Sequence, residues 1–83
     1  MSYSVYIVQC SDTTLYTGIA VDVAKRIDEH NHSAKGAKYT KVRRPVKLLY
    51  TEPCEDRSSA SKREYEIKKM SREKKLKLIG LST

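Results

Sequence analysis

The first twenty residues alternate between apolar and polar positions with the two-residue period of β-strands. YSVYIVQC, at residues 3–10, is rich in β-branched and aromatic side chains and predicts a strand. The polar segment SDTT supplies turn chemistry, and LYTGI, at residues 15–19, predicts the returning strand of a hairpin.

A helical period follows the hairpin. Asp22 is a suitable N-cap for a helix over about residues 23–31. The predicted core stripe of this helix consists of Ala20, Val23, Ala24 and Ile27. The polar, glycine-containing connection NHSAKGAKYTK then leads to PVKLLYTE, which predicts a third strand starting after Pro45.

Two helices are predicted at the end of the chain. Asp56 and Ser58 can cap a helix that reaches about Lys69. Ser71 restarts a final helix, which Gly80 ends. No repeat or second domain is present, so the 83 residues predict a single domain. The order β-β-α-β-α-α indicates an α+β fold with a three-stranded sheet, antiparallel or mixed, packed with helices.

The length and composition restrict the class of protein. An 83-residue chain with six tyrosines and neither Trp nor Phe has a thin core. No apolar run is long enough to cross a bilayer, and the first residues, MSY, lack the basic and apolar start of a signal peptide. We therefore expect a cytoplasmic protein that does not enter a membrane, and we expect it to be a monomer.

The chain contains two cysteines and no CxxC motif. Cys10 and Cys54 are expected to be reduced and partly buried. A zinc site that combines them with His30 and His32 is disfavoured. The two histidines project about 200° apart on a helix and cannot chelate from one face.

The net charge of +7 is distributed unevenly. One basic group lies in the connection between the first helix and the third strand, and a second lies in the last quarter of the chain. Such an excess favours polyanionic partners, with nucleic acid first and an anionic membrane second. On charge alone, a solvated surface that keeps the protein soluble is an equally good interpretation.

Several polar residues lie where the pattern predicts apolar surroundings. Arg26 and His30 fall together on the margin of the apolar stripe, a position that borders a groove while the stem of the side chain stays packed. The simpler alternatives are an ordinary residue at an amphipathic edge for Arg26 and a polar residue near a helix end for His30. Tyr6 and Tyr16 lie on the two hairpin strands, either near one another in a site or as core tyrosines. Gly18 indicates a bulge or a close backbone approach.

Glu64 lies on the face of its helix that Ala60 and Ile67 mark as inward. Burying an unpaired carboxylate costs several kcal/mol, so it should contact a cation, a metal or a network of donors. Two simpler alternatives are an ion pair with Lys68 and a capping box with Ser61, the second of which requires the helix to begin at Ser61.

The ordered set of these residues resembles the GIY-YIG nuclease family, in particular its small stand-alone bacterial members of the UPF0213 type. The motif elements correspond to Ser4-Val5-Tyr6 and Tyr16-Thr17-Gly18, followed by Arg26, His30, and Glu64 within KREYEIKKM. GAKYTKVRRPVKLLY is similar to the same branch, and the resemblance covers nearly the whole chain. The departures are Ser4 at the first glycine of the motif, and Val5 and Thr17 at its two isoleucines.

The resemblance implies metal-dependent hydrolysis of a phosphodiester. Glu64 would hold one Mg²⁺ or Mn²⁺ together with phosphate oxygens and waters, weakly in the absence of substrate. Tyr6 is the candidate general base, either because Arg26 lowers its pKa or because its proton passes onward as water attacks. Arg26 would also stabilise phosphoryl charge. Tyr16 and His30 would support these groups by hydrogen bonding or proton relay.

The basic connection is predicted to grip the backbone of DNA or another structured nucleic acid without reading sequence. The predicted contacts are Lys35, Lys38, Tyr39, Lys41, Arg43 and Arg44. A role in DNA repair or recombination, with protein partners from those assemblies, is the corresponding expectation. The alternatives are a non-catalytic nucleic-acid-binding module that retains the nuclease fold, and a protein–protein adaptor.

Overall fold

The computed structural model describes residues 2–81 of the protein, the last of them in its backbone only. Its elements are the strands β1 (Tyr3–Gln9), β2 (Leu15–Ala20) and β3 (Lys47–Cys54), and the helices α1 (Val23–His32), α2 (Lys38–Lys41), α3 (Arg57–Lys68) and α4 (Arg72–Leu81). The predicted α+β class and the order β-β-α-β-α-α are confirmed. The short helix α2 is an additional single turn inside the segment that was predicted to be an irregular connection.

The sheet is antiparallel throughout, with the order β2-β1-β3. The central strand β1 pairs with β2 in continuous register, so that Tyr6 lies opposite Gly18. Its pairing with β3 shifts register between Ile7 and Val8. The strand β3 begins and ends two residues later than predicted and includes Pro53, which an edge strand tolerates because one side of its backbone is unpaired.

Both faces of the sheet are covered, because side chains of β1 point alternately to the two sides. Val5 and Ile7 pack against Ala60 and Ile67 of α3, and α4 completes this layer. The opposite layer contains Tyr6, Val8, Cys10 and Val46, packed against Tyr16, Ala20, Val23 and Ile27. Tyr6 therefore lies between the sheet and α1.

The helix starts follow the predicted caps. The Asp22 carboxylate accepts from the backbone N–H of Lys25 at 3.0 Å, and the Asp56 carboxylate accepts from that of Ser59 at 2.8 Å. Because Asp56 caps α3, Ser58 lies inside the helix and is not a cap.

The core stripe of α1 differs from the prediction. Ala24 is exposed, whereas His30 is buried on the same side as Val23 and Ile27. The stripe therefore follows positions 23, 27 and 30, one turn apart along the helix.

Candidate active site

Tyr6 and His30 form a buried pair between the central strand and α1. Tyr6 is 1% exposed and His30 is 0% exposed. The Tyr6 Oη and His30 Nε2 atoms are 2.7 Å apart, and the two rings meet edge to face with centroids 5.8 Å apart. His30 was predicted to lie on the margin of the apolar stripe, but its ring is fully buried.

Gly18 provides the space in which the Tyr6 ring lies. A Cβ atom at Gly18 would be 2.5 Å from Tyr6 Oη and 2.6 Å from Cζ, distances that real side chains do not adopt. Of the two readings of Gly18, the close approach is the one observed, since the β1–β2 register is continuous. The tyrosine and the glycine on the neighbouring strand are therefore one packing unit.

We expect Gly18→Ala to destabilise the protein by about 1–3 kcal/mol, because the added methyl group must push the Tyr6 ring out of its position. Chemical denaturation would measure the change in the free energy of unfolding. Gly80→Ala is the matched control: a Cβ at Gly80 meets nothing within 4 Å, and in a helix the change is expected to be neutral or to stabilise by up to about 1 kcal/mol. Equal effects of the two substitutions would contradict the packing argument.

Burial shifts the pKa values of Tyr6 and His30 in opposite directions. Burial raises the pKa of Tyr6 to about 12, and although contact with the Arg26 guanidinium lowers it, burial is the larger effect. The expectation that Arg26 makes Tyr6 a base of low pKa is therefore wrong. Burial also lowers the pKa of His30 to about 4, helped by the positive charges of Arg26 and Arg44. At neutral pH the pair consists of a neutral phenol and a neutral imidazole.

Arg26 lies beside this pair at the edge of an open groove. Its side chain is 28% exposed, as its position on the margin of the helix predicts. The Nη1 atom donates to Glu29 Oε1 at 3.2 Å and to the backbone oxygen of Lys35 at 2.9 Å. The groove has a volume of about 510 Å³ and is lined by Ala20, Val21, Asp22, Lys25, Arg26 and Glu29. A guanidinium held in this way faces the space that a phosphate could enter.

Glu64 is half-buried on α3, with its side chain 24% exposed, and not fully inward as predicted. Its carboxylate pairs with Lys68 Nζ at 3.3 Å, so this alternative is the one observed. The capping box with Ser61 is excluded because α3 begins at Arg57. Burial is the main cause that raises the pKa of Tyr6, and the negative charge of Glu64 contributes in the same direction. The Glu64 carboxylate therefore lies within electrostatic range of Tyr6.

Glu64 is the candidate metal ligand, and in the described part of the chain it belongs to no cluster of metal ligands. Among residues 2–81, no three His, Cys, Asp or Glu side chains come together in a group that could hold a metal. One hard oxygen ligand fits an ion such as Mg²⁺ that completes its shell with substrate phosphate and water. One such ligand does not form a site that holds the ion before the substrate binds.

Tyr16 belongs to a column of stacked side chains next to His30. The Tyr16 and His30 rings are 5.5 Å apart and meet edge to face, while Tyr16 and Tyr39 stack with centroids 5.8 Å apart. The guanidinium carbon of Arg43 lies 3.9 Å from the centre of the Tyr39 ring. Tyr39 is thus packed against the site, with part of its surface exposed.

The basic connection divides into residues that face solvent and residues that hold the fold. Lys35, Lys38 and Lys41 are exposed. Arg43 pairs with Asp12 at 3.0 Å, and Arg44 donates to backbone oxygens at the end of α1. Both arginines were predicted to bind nucleic acid, and each also makes these contacts within the fold. Contact of the lysines and arginines with nucleic acid stays a prediction.

Thr40 is the polar residue of the site that sequence reasoning missed. It is 0% exposed, and its Oγ1 atom lies 2.8 Å from His30 Nδ1. Nothing in the sequence distinguishes it from the other threonines, because the polar connection in which it lies has no period that predicts burial. Outside the site, no helix in the described part of the chain is long and apolar enough to cross a membrane.

Comparison with known proteins gives concordant matches. Residues 2–77 match the GIY-YIG catalytic domain. A UPF0213 protein of Desulfotalea psychrophila is 60% identical over 81 residues, which are 98% of this chain and 74% of that protein. A UPF0213 protein of Staphylococcus aureus is 62% identical over 78 residues, which are 94% of each chain.

Two solved structures share the fold. The solution NMR structure of a UPF0213 protein of Bacillus halodurans is 44% identical, with a TM-score of 0.63 over 98% of this chain and 85% of that chain. The solution NMR structure of a protein of E. faecalis is 40% identical, with the same TM-score of 0.63 over 98% of this chain and 88% of that chain. The resemblance inferred from the residues is confirmed.

Proposed function

The chain belongs to the GIY-YIG catalytic-domain family, and on that premise we propose that it is a divalent-metal-dependent endonuclease that hydrolyses phosphodiester bonds in DNA or structured nucleic acid. The observation that carries the proposal is the 2.7 Å contact of Tyr6 Oη with His30 Nε2 beside Arg26. Simple binding of a nucleic-acid backbone needs no buried tyrosine–histidine pair. We further propose that the enzyme is a cytoplasmic monomer that acts in DNA repair or recombination.

The proposed route of proton transfer in this site is a relay. The pKa of Tyr6 is about 12, so its phenolate is not populated at neutral pH. Tyr6 Oη can instead take a proton from the attacking water while its own proton passes to His30 Nε2. The pKa of His30 is about 4, so the imidazole is neutral with a free lone pair on Nε2; as a weak base it takes the Tyr6 proton only as the water attacks. Of the two routes considered for Tyr6, we therefore propose onward transfer of its proton and not a lowered pKa.

Arg26 supplies positive charge where the phosphoryl oxygens would lie. Its planar guanidinium matches two oxygens at once, and its bonds to Glu29 and to the Lys35 backbone fix its orientation. Tyr16 packs on His30 and limits the movement of the imidazole ring. The exposed lysines of the connection would bind the backbone on either side of the scissile bond.

Glu64 is the residue that would hold the metal ion, together with phosphate oxygens and waters. When bound, Mg²⁺ or Mn²⁺ would stabilise negative charge on the phosphoryl group and on the leaving oxygen. Because the carboxylate stands alone and already pairs with Lys68, affinity for the ion should be weak until nucleic acid is present.

A non-catalytic nucleic-acid-binding module is the second candidate. It is favoured by the enclosure of Tyr6, which is only 1% exposed, and by the ion pair that occupies Glu64. Under this alternative the basic surface binds nucleic acid, while the tyrosine–histidine pair serves only the core.

We expect the wild-type protein to nick supercoiled plasmid or a branched DNA in the presence of Mg²⁺ or Mn²⁺, and EDTA to abolish the reaction. Gel analysis measures cleavage, and calorimetry with each metal, with and without an uncleavable DNA, measures binding of the ion. Cleavage together with weak metal binding that DNA strengthens would support the enzyme. DNA binding without cleavage under every metal condition would support the binding module, and tight Mg²⁺ binding in the absence of DNA would contradict the single-carboxylate site.

A further inference from the structure

Thr40 joins His30 to the backbone of the connection. It lies in α2, ten residues after His30, and is fully buried. Its Oγ1 atom is 2.8 Å from His30 Nδ1 and 2.9 Å from the backbone oxygen of Ala37. One hydroxyl group therefore contacts two partners, and the single proton of that group can go to only one of them.

The chemistry of the partners gives the direction of each hydrogen bond. The oxygen of Ala37 can only accept, so the Thr40 hydroxyl donates to it. Thr40 Oγ1 then accepts from the N–H at His30 Nδ1. With the proton on Nδ1, the Nε2 atom carries a lone pair and accepts the hydroxyl proton of Tyr6.

The opposite tautomer of His30, with the proton on Nε2, leaves the hydrogen-bonding groups of the site less well paired. It would suit the backbone N–H of Ala37, which approaches His30 Nδ1 at 3.4 Å, but this contact is longer than that of Thr40. It would also place an N–H against Tyr6 Oη, which already contacts the Arg26 side chain, and the buried hydroxyl proton of Tyr6 would lose its acceptor.

We propose that Thr40 is a positioning residue that holds His30 as the Nδ1–H tautomer, so that Nε2 can receive the proton of Tyr6. The assignment of the tautomer stands on the hydrogen bonds alone, whereas its catalytic consequence rests on the proposed nuclease function. A carbonyl or carboxylate often fixes a histidine in this way. In this site the acceptor is the Thr40 hydroxyl group, which is itself oriented by the backbone oxygen of Ala37.

The connection that carries Thr40 is held closely against α1. A Cβ atom at Gly36 would lie 2.8 Å from the backbone oxygen of Glu29, so only glycine allows this approach. Arg44 donates to the backbone oxygens of His30 and Ser33 from the other end of the connection. Thr40 therefore reaches His30 from a segment that is anchored on both sides, and this segment is a wall of the site.

The test is the tautomer of His30, read by long-range proton–nitrogen NMR correlation of its ring. It compares the wild type with Thr40→Ser, which keeps the hydroxyl, and Thr40→Val, which keeps the shape and removes it. We expect Nδ1–H in the wild type and in Thr40→Ser. In Thr40→Val we expect the tautomer ratio to move towards Nε2–H by about tenfold or more, since Nδ1–H loses its acceptor.

A cleavage assay supplies the second measurement. We expect Thr40→Val to lower the cleavage rate about 10- to 100-fold with no change in DNA affinity, and Thr40→Ser to stay within a few fold of the wild type. A phosphate-binding or merely structural Thr40 would change affinity or stability and leave the tautomer in place.

The outcomes separate the two proposals. An Nε2–H tautomer in the wild type, or an unchanged Nδ1–H tautomer in Thr40→Val, would overturn the role of Thr40 whether or not the protein cuts DNA. Absence of cleavage by a wild type that shows Nδ1–H would overturn only the nuclease function. If Thr40→Val does not fold, the spectra of the wild type and Thr40→Ser still decide, because the proposal requires Nδ1–H in both.

Discussion

Replacing Glu64 by glutamine is expected to abolish metal-dependent cleavage while leaving the fold intact. The substitution keeps the shape of the side chain and removes the carboxylate that is proposed to hold the metal ion. We expect the cleavage rate to fall on the order of 10³-fold or more, because a metal ion at a phosphoryl group stabilises charge that appears only in the transition state. The ion pair with Lys68 is partly exposed, so its loss should change the free energy of unfolding by less than about 1 kcal/mol.

Glu66→Gln is the matched control for this experiment. Glu66 lies on the same helix two residues away and faces solvent, and its substitution changes the net charge by the same amount. Both variants should bind DNA at least as tightly as the wild type, since each removes one negative charge from a basic protein. Equal cleavage by the wild type and Glu64→Gln would remove Glu64 from the mechanism, and equal losses in both variants would show that only charge matters.

The hydrophobic periods predict the elements well because each period follows from backbone geometry. The hairpin, α1 and α3 lie where alternation and capping place them, and Asp22 and Asp56 make the predicted caps. A period specifies which side chains share a face, but it does not specify which helix covers that face. Alternation places Val5 and Tyr6 on opposite faces of β1, but only the packing shows that α3 covers the first face and α1 the second.

The polar connection is the part of the site that sequence reasoning describes least well. Its residues have no apolar period, so the buried Thr40 could not be distinguished from its exposed neighbours. Arg43 and Arg44 were interpreted from charge alone, which does not reveal that their guanidinium groups also bind Asp12 and backbone oxygens. Charge counts predict the long-range field of a protein, whereas hydrogen-bond partners depend on contacts between distant segments.

The placement of Tyr6 explains why its neighbours are of these types. An aromatic ring on the central strand needs open space on the neighbouring strand, which Gly18 provides, and its buried hydroxyl needs an acceptor, which His30 provides. Burial then raises the pKa of the tyrosine and lowers that of the histidine. The same enclosure that prevents ionisation at neutral pH makes transfer within the pair the available route for a proton.

Replacing Tyr6 by phenylalanine is expected to lower the cleavage rate by about 10²- to 10⁴-fold, the range typical for loss of a general acid–base group. His30 reaches the substrate only through Tyr6 Oη, so the two residues should act as a unit. We therefore expect His30→Gln to have little further effect in the Tyr6→Phe background, although it slows the wild-type protein. Single-turnover cleavage of the four proteins that form this double-mutant cycle measures the coupling.

Tyr50→Phe controls for the loss of a tyrosine hydroxyl as such. Tyr50 is also buried on a strand of the same sheet, and its hydroxyl donates to Glu52, but it packs in the opposite layer. Both Tyr→Phe variants should lose about 1–3 kcal/mol or less of the free energy of unfolding, because each removes one hydrogen bond, and Glu52 still accepts from Arg63 when Tyr50 is replaced. Only Tyr6→Phe should lose cleavage. Additive effects of Tyr6→Phe and His30→Gln on the rate would contradict the relay, because additivity requires the two side chains to act on the substrate separately.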